Sequence, residues 1–209
     1  DLRKLPDWQL QMYLYGTWGM NPTSYYGDVW NPSVHVCEPF QIPTSWRIER
    51  SCDWGSKAPA ATLWYAVDND GNMIFLDELY CPGENGPAYG AKVLALEERH
   101  GWKDLSGYID NQAFADYGSI SPSPGDEMLA MGISWFPVGG KDKERENGWT
   151  EIHRRLKMRG GHTGDIPGIL VFTTCEKLRE WIPKARNDPK NKNDLDKRQE
   201  LHVLDGLRY

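Results

Sequence analysis

Ala61-Thr62-Leu63-Trp64-Tyr65-Ala66-Val67-Asp68-Asn69-Asp70-Gly71-Asn72-Met73-Ile74-Phe75-Leu76-Asp77-Glu78-Leu79-Tyr80 is the stretch on which the fold turns. Two runs rich in aromatic and β-favouring residues flank Asp68-Asn69-Asp70-Gly71. An Asp-Gly pair supplies the positive φ that a tight turn between antiparallel strands requires. The stretch therefore predicts strands over 61–67 and 73–80 joined as a hairpin. Upstream, Trp46 to Asp53 predicts another strand, so the sheet opens with three strands in a meander.

Downstream, residues 86–100 have the spacing of an amphipathic helix. Tyr89, Val93, Leu94 and Leu96 mark one side and Lys92, Glu97, Glu98 and Arg99 the other, and Gly101 ends it. Leu105 to Asp110 predicts a fourth strand and Ile133 to Pro137 a fifth. Between them, Pro124 to Met131 reads as a short helix, with Asp126 and Glu127 in its first turn. Helices over 149–157, 175–182 and 199–209 and a strand over 168–172 complete the expectation. A meander, then a helix, a strand and further α/β units describe an α/β protein. Its mixed sheet, antiparallel over the first three strands and flanked by helices, has the order of an RNase H-like fold.

Two segments stand apart. Residues 1–45 read as a connector and lead-in: helical spacing over Asp7 to Tyr15 is interrupted by Gly16, Gly19, Pro22, Gly27 and Pro32. The folded domain is then expected over 46–209. Residues 184–194 are polar, mixed in charge and rich in breakers, which predicts a mobile surface loop.

The balance of 30 acidic to 24 basic residues, net charge −6, argues against gripping nucleic acid by bulk positive charge. It leaves room for an enzyme on DNA whose acidic pocket adds to the negative charge. No apolar stretch approaches the ~20 residues that span a bilayer, and no basic-then-apolar leader is present. Cys37, Cys52, Cys81 and Cys175 are scattered, which favours reduced thiols over a zinc cluster. Trp135 stands where a phosphate loop ending in Gly140-Lys141 would need its first glycine, so this route to ATP hydrolysis is excluded. The chain begins with Asp, and the expectation is a piece of a longer protein.

Three aspartates carry the chemistry: Asp53 closes the first strand, Asp110 closes the fourth, and Asp205 lies on the last helix. If they converge, their pocket repels itself unless cations fill it. Two Mg²⁺ or Mn²⁺ ions about 4 Å apart are the usual means of cleaving a phosphodiester by in-line attack. For Asp53 and Asp110 the bland alternative is a turn Asp capping its own backbone. For Asp205 it is an ion pair with Arg208. His202, one helical turn before Asp205, is a candidate to assist as ligand or proton carrier. Glu78 is a possible supporting carboxylate and Asp116 a reserve for Asp110. Lys57 reads first as an exposed turn lysine.

Arg50-Ser51-Cys52-Asp53-Trp54-Gly55, Tyr108-Ile109-Asp110 and His202-Val203-Leu204-Asp205-Gly206-Leu207-Arg208-Tyr209 carry a family resemblance. So do Leu14-Tyr15-Gly16-Thr17-Trp18, Phe40-Gln41-Ile42-Pro43-Thr44-Ser45-Trp46 and the hairpin from Asp70 to Leu79. In order and spacing the chain resembles the C-terminal nuclease domain of the tailed-phage terminase large subunit. The resemblance implies a metal-dependent endonuclease that cuts concatemeric double-stranded viral DNA during packaging. It implies two divalent cations, Mg²⁺ or Mn²⁺, held by Asp53, Asp110 and Asp205. It further implies an N-terminal ATPase domain, the small terminase subunit and the portal as partners, the host cytoplasm as location, and no membrane. The basic residues of 141–159 (Lys141, Lys143, Arg145, Arg154, Arg155, Lys157, Arg159) suit a DNA-facing region. The competing readings are a junction-resolvase or transposase-like nuclease and a non-catalytic docking domain.

Overall fold

The computed structural model of the chain describes residues 24–115, 121–138, 142–157 and 167–209, the side chains of 142–144 excepted. The expected helix over 7–15, the motif at 14–18, Asp116, Lys141, Arg159 and the side chain of Lys143 fall outside the described residues. Among those described, seven strands form one sheet: β1 Val36–Cys37, β2 Arg47–Asp53, β3 Ala60–Val67, β4 Met73–Cys81, β5 Ser106–Asp110, β6 Ser134–Val138 and β7 Ile169–Phe172. Their order is β1-β7-β4-β3-β2-β5-β6. The β2–β3–β4 meander is antiparallel, and every other neighbouring pair is parallel. The predicted hairpin turn forms: Asp68 Oδ1 accepts the backbone N–H of Asp70 and Asn72 at 2.9 and 2.8 Å, and Gly71 takes a φ of 80°.

The helices are α1 Pro32–His35, α2 Gly86–His100, α3 Pro124–Ala130, α4 Asp142–Leu156, α5 Glu176–Trp181 and α6 His202–Arg208. None among the described residues is long and apolar enough to cross a membrane. β3 is the central strand of the meander, and its side chains alternate between two cores. Ala61, Leu63 and Tyr65 pack with Trp149, Ile152 and Leu156 of α4, Leu178 of α5, and Val203, Leu204 and Leu207 of α6. Ala60 and Trp64 face the other way, onto Tyr89, Val93 and Leu96 of α2 and Met128 of α3. All four cysteines are free thiols.

Three expectations are corrected. Glu97 is on the buried side of α2, not the polar side. Its Oε1 accepts from Arg50 Nη1 at 2.8 Å and from Trp64 Nε1 at 2.9 Å, so a buried arginine on the sheet draws the carboxylate inward. Residues 24–37, placed in the connector, pack into the domain: Tyr26 and Trp30 belong to the α4–α6 core, and β1 pairs with β7. Residues 184–194 lie largely at the surface, as expected of a loop, but are anchored to the domain. Asp194 is buried and accepts from Arg145 Nε and Trp149 Nε1, both at 2.8 Å, while an isolated bridge joins Asn187 to Leu195. Its polar groups bond to each other and, through Asn191 and Asp194, to α4.

Candidate active site

The pairing of β2 with β5 builds the site. The strands run parallel, with Cys52 beside Ile109. Both of these side chains lie in the α2–α3 core. The next residue on each strand, Asp53 and Asp110, is therefore turned to the opposite face, at adjacent C-terminal strand ends. That face carries α6, which packs on β2 and β3. Gly206 lets it come close: a Cβ there would stand 3.3 Å from Ala61 O and 3.7 Å from Asp53 N. A Cβ is tight only against Ala61 O, by a few tenths of an ångström, so glycine sets how closely α6, and Asp205 with it, can settle on the strand ends.

Asp53 is 7% exposed, and its Oδ2 accepts from His202 Nδ1 at 2.8 Å. An ionised carboxylate only accepts, so Nδ1 carries the proton of this bond. Burial pushes the Asp53 carboxyl up to about 6, against the His202 hydrogen bond; the charges of Asp205 and Asp110 add to the rise. The bond to Asp53 raises His202 above its ordinary value despite partial burial. Both shifts mean that the folded pair holds its proton more tightly than either group alone. Burial also raises Asp205, against the guanidinium charges of Arg145 and Arg208. Asp110 Oδ1 accepts the backbone N–H of Gln112 at 2.9 Å, and its Oδ2 accepts from the Tyr209 hydroxyl at 3.3 Å.

Asp53, Asp110, Asp205 and His202 thus share one electrostatic neighbourhood. Each carboxylate is nonetheless turned to a protein partner. Among the described residues, no three His, Cys, Asp or Glu side chains stand so as to hold one ion in this form. The bland features exist alongside the cluster: Asp110 does cap its turn, and Asp205 does pair with Arg208 through Oδ1 at 3.1 and 3.2 Å.

Other candidates lie elsewhere. Glu78, two strands from β2, accepts the backbone N–H of Lys177 and Leu178 and so caps α5; it does not support the aspartates. Lys57 is exposed beyond β2. Of the basic segment, Arg154 and Arg155 pair with Glu151, and Arg145 with Asp194, so these charges are met within the chain. The Arg208 pairing was expected from the sequence, whereas Tyr209 and Gly206 stood there only within the quoted motif and Asp194 only within the polar segment, none with a role of its own. The clustering of polar and aromatic residues at 205–209 was the available signal.

The architecture defines a class: an RNase H-like mixed sheet with a carboxylate cluster at the adjacent ends of β2 and β5. No family model matches the chain, and no curated protein sequence matches it significantly. Among solved structures, the P22 large terminase nuclease domain superposes with a TM-score of 0.68 at 16% identity, covering 91% of this chain and 91% of that one. The large terminase of a thermophilic bacteriophage, solved in complex with ATP-γ-S, matches with a TM-score of 0.68 at 18% identity. That match covers 89% of this chain but 44% of the other, so the chain spans less than half of that protein. The large terminase nuclease of thermophilic phage G20c gives a TM-score of 0.62 at 10% identity over 89% and 96% of the two chains. It has also been solved with bound cobalt and with bound zinc. The fold of this chain is that of large terminase nuclease domains.

Proposed function

We propose that this chain is a metal-dependent DNA endonuclease of a viral packaging motor, cutting concatemeric double-stranded DNA by phosphodiester hydrolysis. The observation that carries the reading is the β2–β5 register, which sets Asp53 and Asp110 side by side on the face where α6 presents Asp205. The fold it shares with terminase nucleases supports the same reading. The donor set suits hard divalent cations: three carboxylates, one of them pushed up to about 6 by burial and like charge. Asp53, Asp110 and Asp205 would hold two such ions, Mg²⁺ or Mn²⁺. Bound there, they supply Lewis acidity toward the phosphodiester and the attacking water.

The chain's own residues prepare the rest. Asp53 fixes the His202 ring through Nδ1, which leaves Nε2 as the atom that takes or returns a proton. Tyr209 orients Asp110 by its hydroxyl hydrogen bond. The net charge of −6 leaves the DNA grip to partners. In this reading those are an ATPase domain of the same protein, the small terminase subunit and the portal, with the host cytoplasm as the setting.

The test is digestion of supercoiled plasmid with Mn²⁺, Mg²⁺ or EDTA, beside Asp53→Asn. Nicking that needs the metal and is lost by at least about a hundredfold in the variant is expected. Cutting at full rate by Asp53→Asn would remove Asp53 from the mechanism.

A further inference from the structure

Gly148 sits in the middle of α4, where glycine costs about 1 kcal/mol relative to alanine. What lies against it accounts for the choice. A Cβ at this position would overlap Arg208 Cγ and come within 2.7 Å of its Cδ. Arg208 runs through the gap so left. Its guanidinium carbon is 4.5 Å from the Tyr209 ring centroid and 5.4 Å from that of Trp149. The side chain is 11% exposed, and Nε and Nη2 converge on Asp205 Oδ1. Trp149 is fixed in turn by its bond to Asp194, with Arg145 over its ring at 5.3 Å. An ordinary surface pair three residues apart on a helix has none of this scaffolding and contributes little.

We propose that Arg208, the guanidinium bonded directly to Asp205 beside the more remote charge of Arg145, is a resident counter-ion of the aspartate cluster, a positioning residue that holds Asp205 and tunes how strongly the cluster takes up divalent cations. This rests on the reading of the cluster as a cation site. A fixed guanidinium on Asp205 offsets the repulsion between Asp205 and Asp53 when no ion is bound. It also opposes the arrival of another positive charge at the same carboxylate. Lysine at 208 keeps that charge and glutamine removes it. Alanine at 148 keeps both partners but closes the seat.

The experiment is calorimetric titration of the 209-residue chain with Mn²⁺ alone. The variants are Arg208→Gln, Arg208→Lys, Gly148→Ala and the Gly148→Ala/Arg208→Gln pair. Arg208→Gln is expected to bind Mn²⁺ roughly tenfold more tightly, the order set by one neighbouring unit charge acting on a divalent ion. Arg208→Lys should bind like the wild type. Gly148→Ala should shift affinity in the same direction as Arg208→Gln and add nothing in the pair. Should Arg208→Gln fail to fold, Gly148→Ala carries the test, since alanine favours the helix. Wild-type binding that Arg208→Gln and Gly148→Ala leave unchanged or weaken overturns the inference while leaving the cation site standing. Absence of Mn²⁺ binding in every form overturns both.

Discussion

At the scale of single residues, Asp53 and His202 tie stability to pH. Asp53 is pushed up to about 6, and His202 is raised above its ordinary imidazole value. Both groups therefore bind protons more strongly folded than unfolded. Stability linked to Asp53 is lost as pH rises from the ordinary carboxylate value through about 6. Stability linked to His202 is present below its unfolded value and lost as pH rises through the raised folded one. The two trends have the same sign. In EDTA, the melting temperature of the wild type should fall as pH rises from roughly 5 to 8. Asp53→Asn, with no carboxyl to ionise, should show a much flatter profile and the higher melting temperature at the alkaline end. A wild-type profile that is flat or rises would mean the pair does not hold its proton in the way described.

At the scale of elements, the Arg50–Glu97 pair locks β2 to α2. Arg50 is 1% exposed, bonds Glu97 at 2.8 Å and Ser134 O at 2.9 Å, and lies 4.5 Å from the Trp135 ring centroid. Taking one member from a buried pair leaves an uncompensated charge and costs about 3–5 kcal/mol. Glu97→Gln should lower unfolding stability by that order in urea titration. Arg50→Met combined with Glu97→Leu should recover most of the loss, because two apolar side chains need no partner. A loss under about 1 kcal/mol for Glu97→Gln would show the pair to be dispensable. Since β2 ends in Asp53, the same lock holds the strand whose last residue enters the site.

At the scale of the whole molecule, the site joins residues 53, 110 and 202–209, which only the closed fold brings together. Cation binding should therefore report on folding. If the aspartates hold Mn²⁺, the wild type gains about 2.7 kcal/mol at a hundredfold excess over the dissociation constant. The corresponding rise in melting temperature should vanish in Asp53→Asn and in Asp205→Asn. An equal rise in all three proteins would place the ion elsewhere. A wild type indifferent to Mn²⁺ would favour the docking-domain alternative.

Much of the architecture was legible because it is local. The hairpin at 68–71, the helix over 86–100 and the strand endings at Asp53 and Asp110 follow from turn chemistry and periodicity, which act over a few residues. The convergence of Asp53, Asp110 and Asp205 was an expectation from their strand-end and helix positions and from the family resemblance, but the partners that Asp53 and Asp110 take across the fold, His202 and Tyr209, were not. Long-range packing settled where side chains with two possible partners turned. Glu97 went inward because Arg50, 47 residues away, is buried beneath it. Asp194 turned inward because Trp149 and Arg145 bond it, and Glu78 went to cap α5. Local chemistry set the elements and the residues that bear charge. The closed fold chose which charges meet, because ion pairing and burial depend on distances between segments that periodicity does not encode.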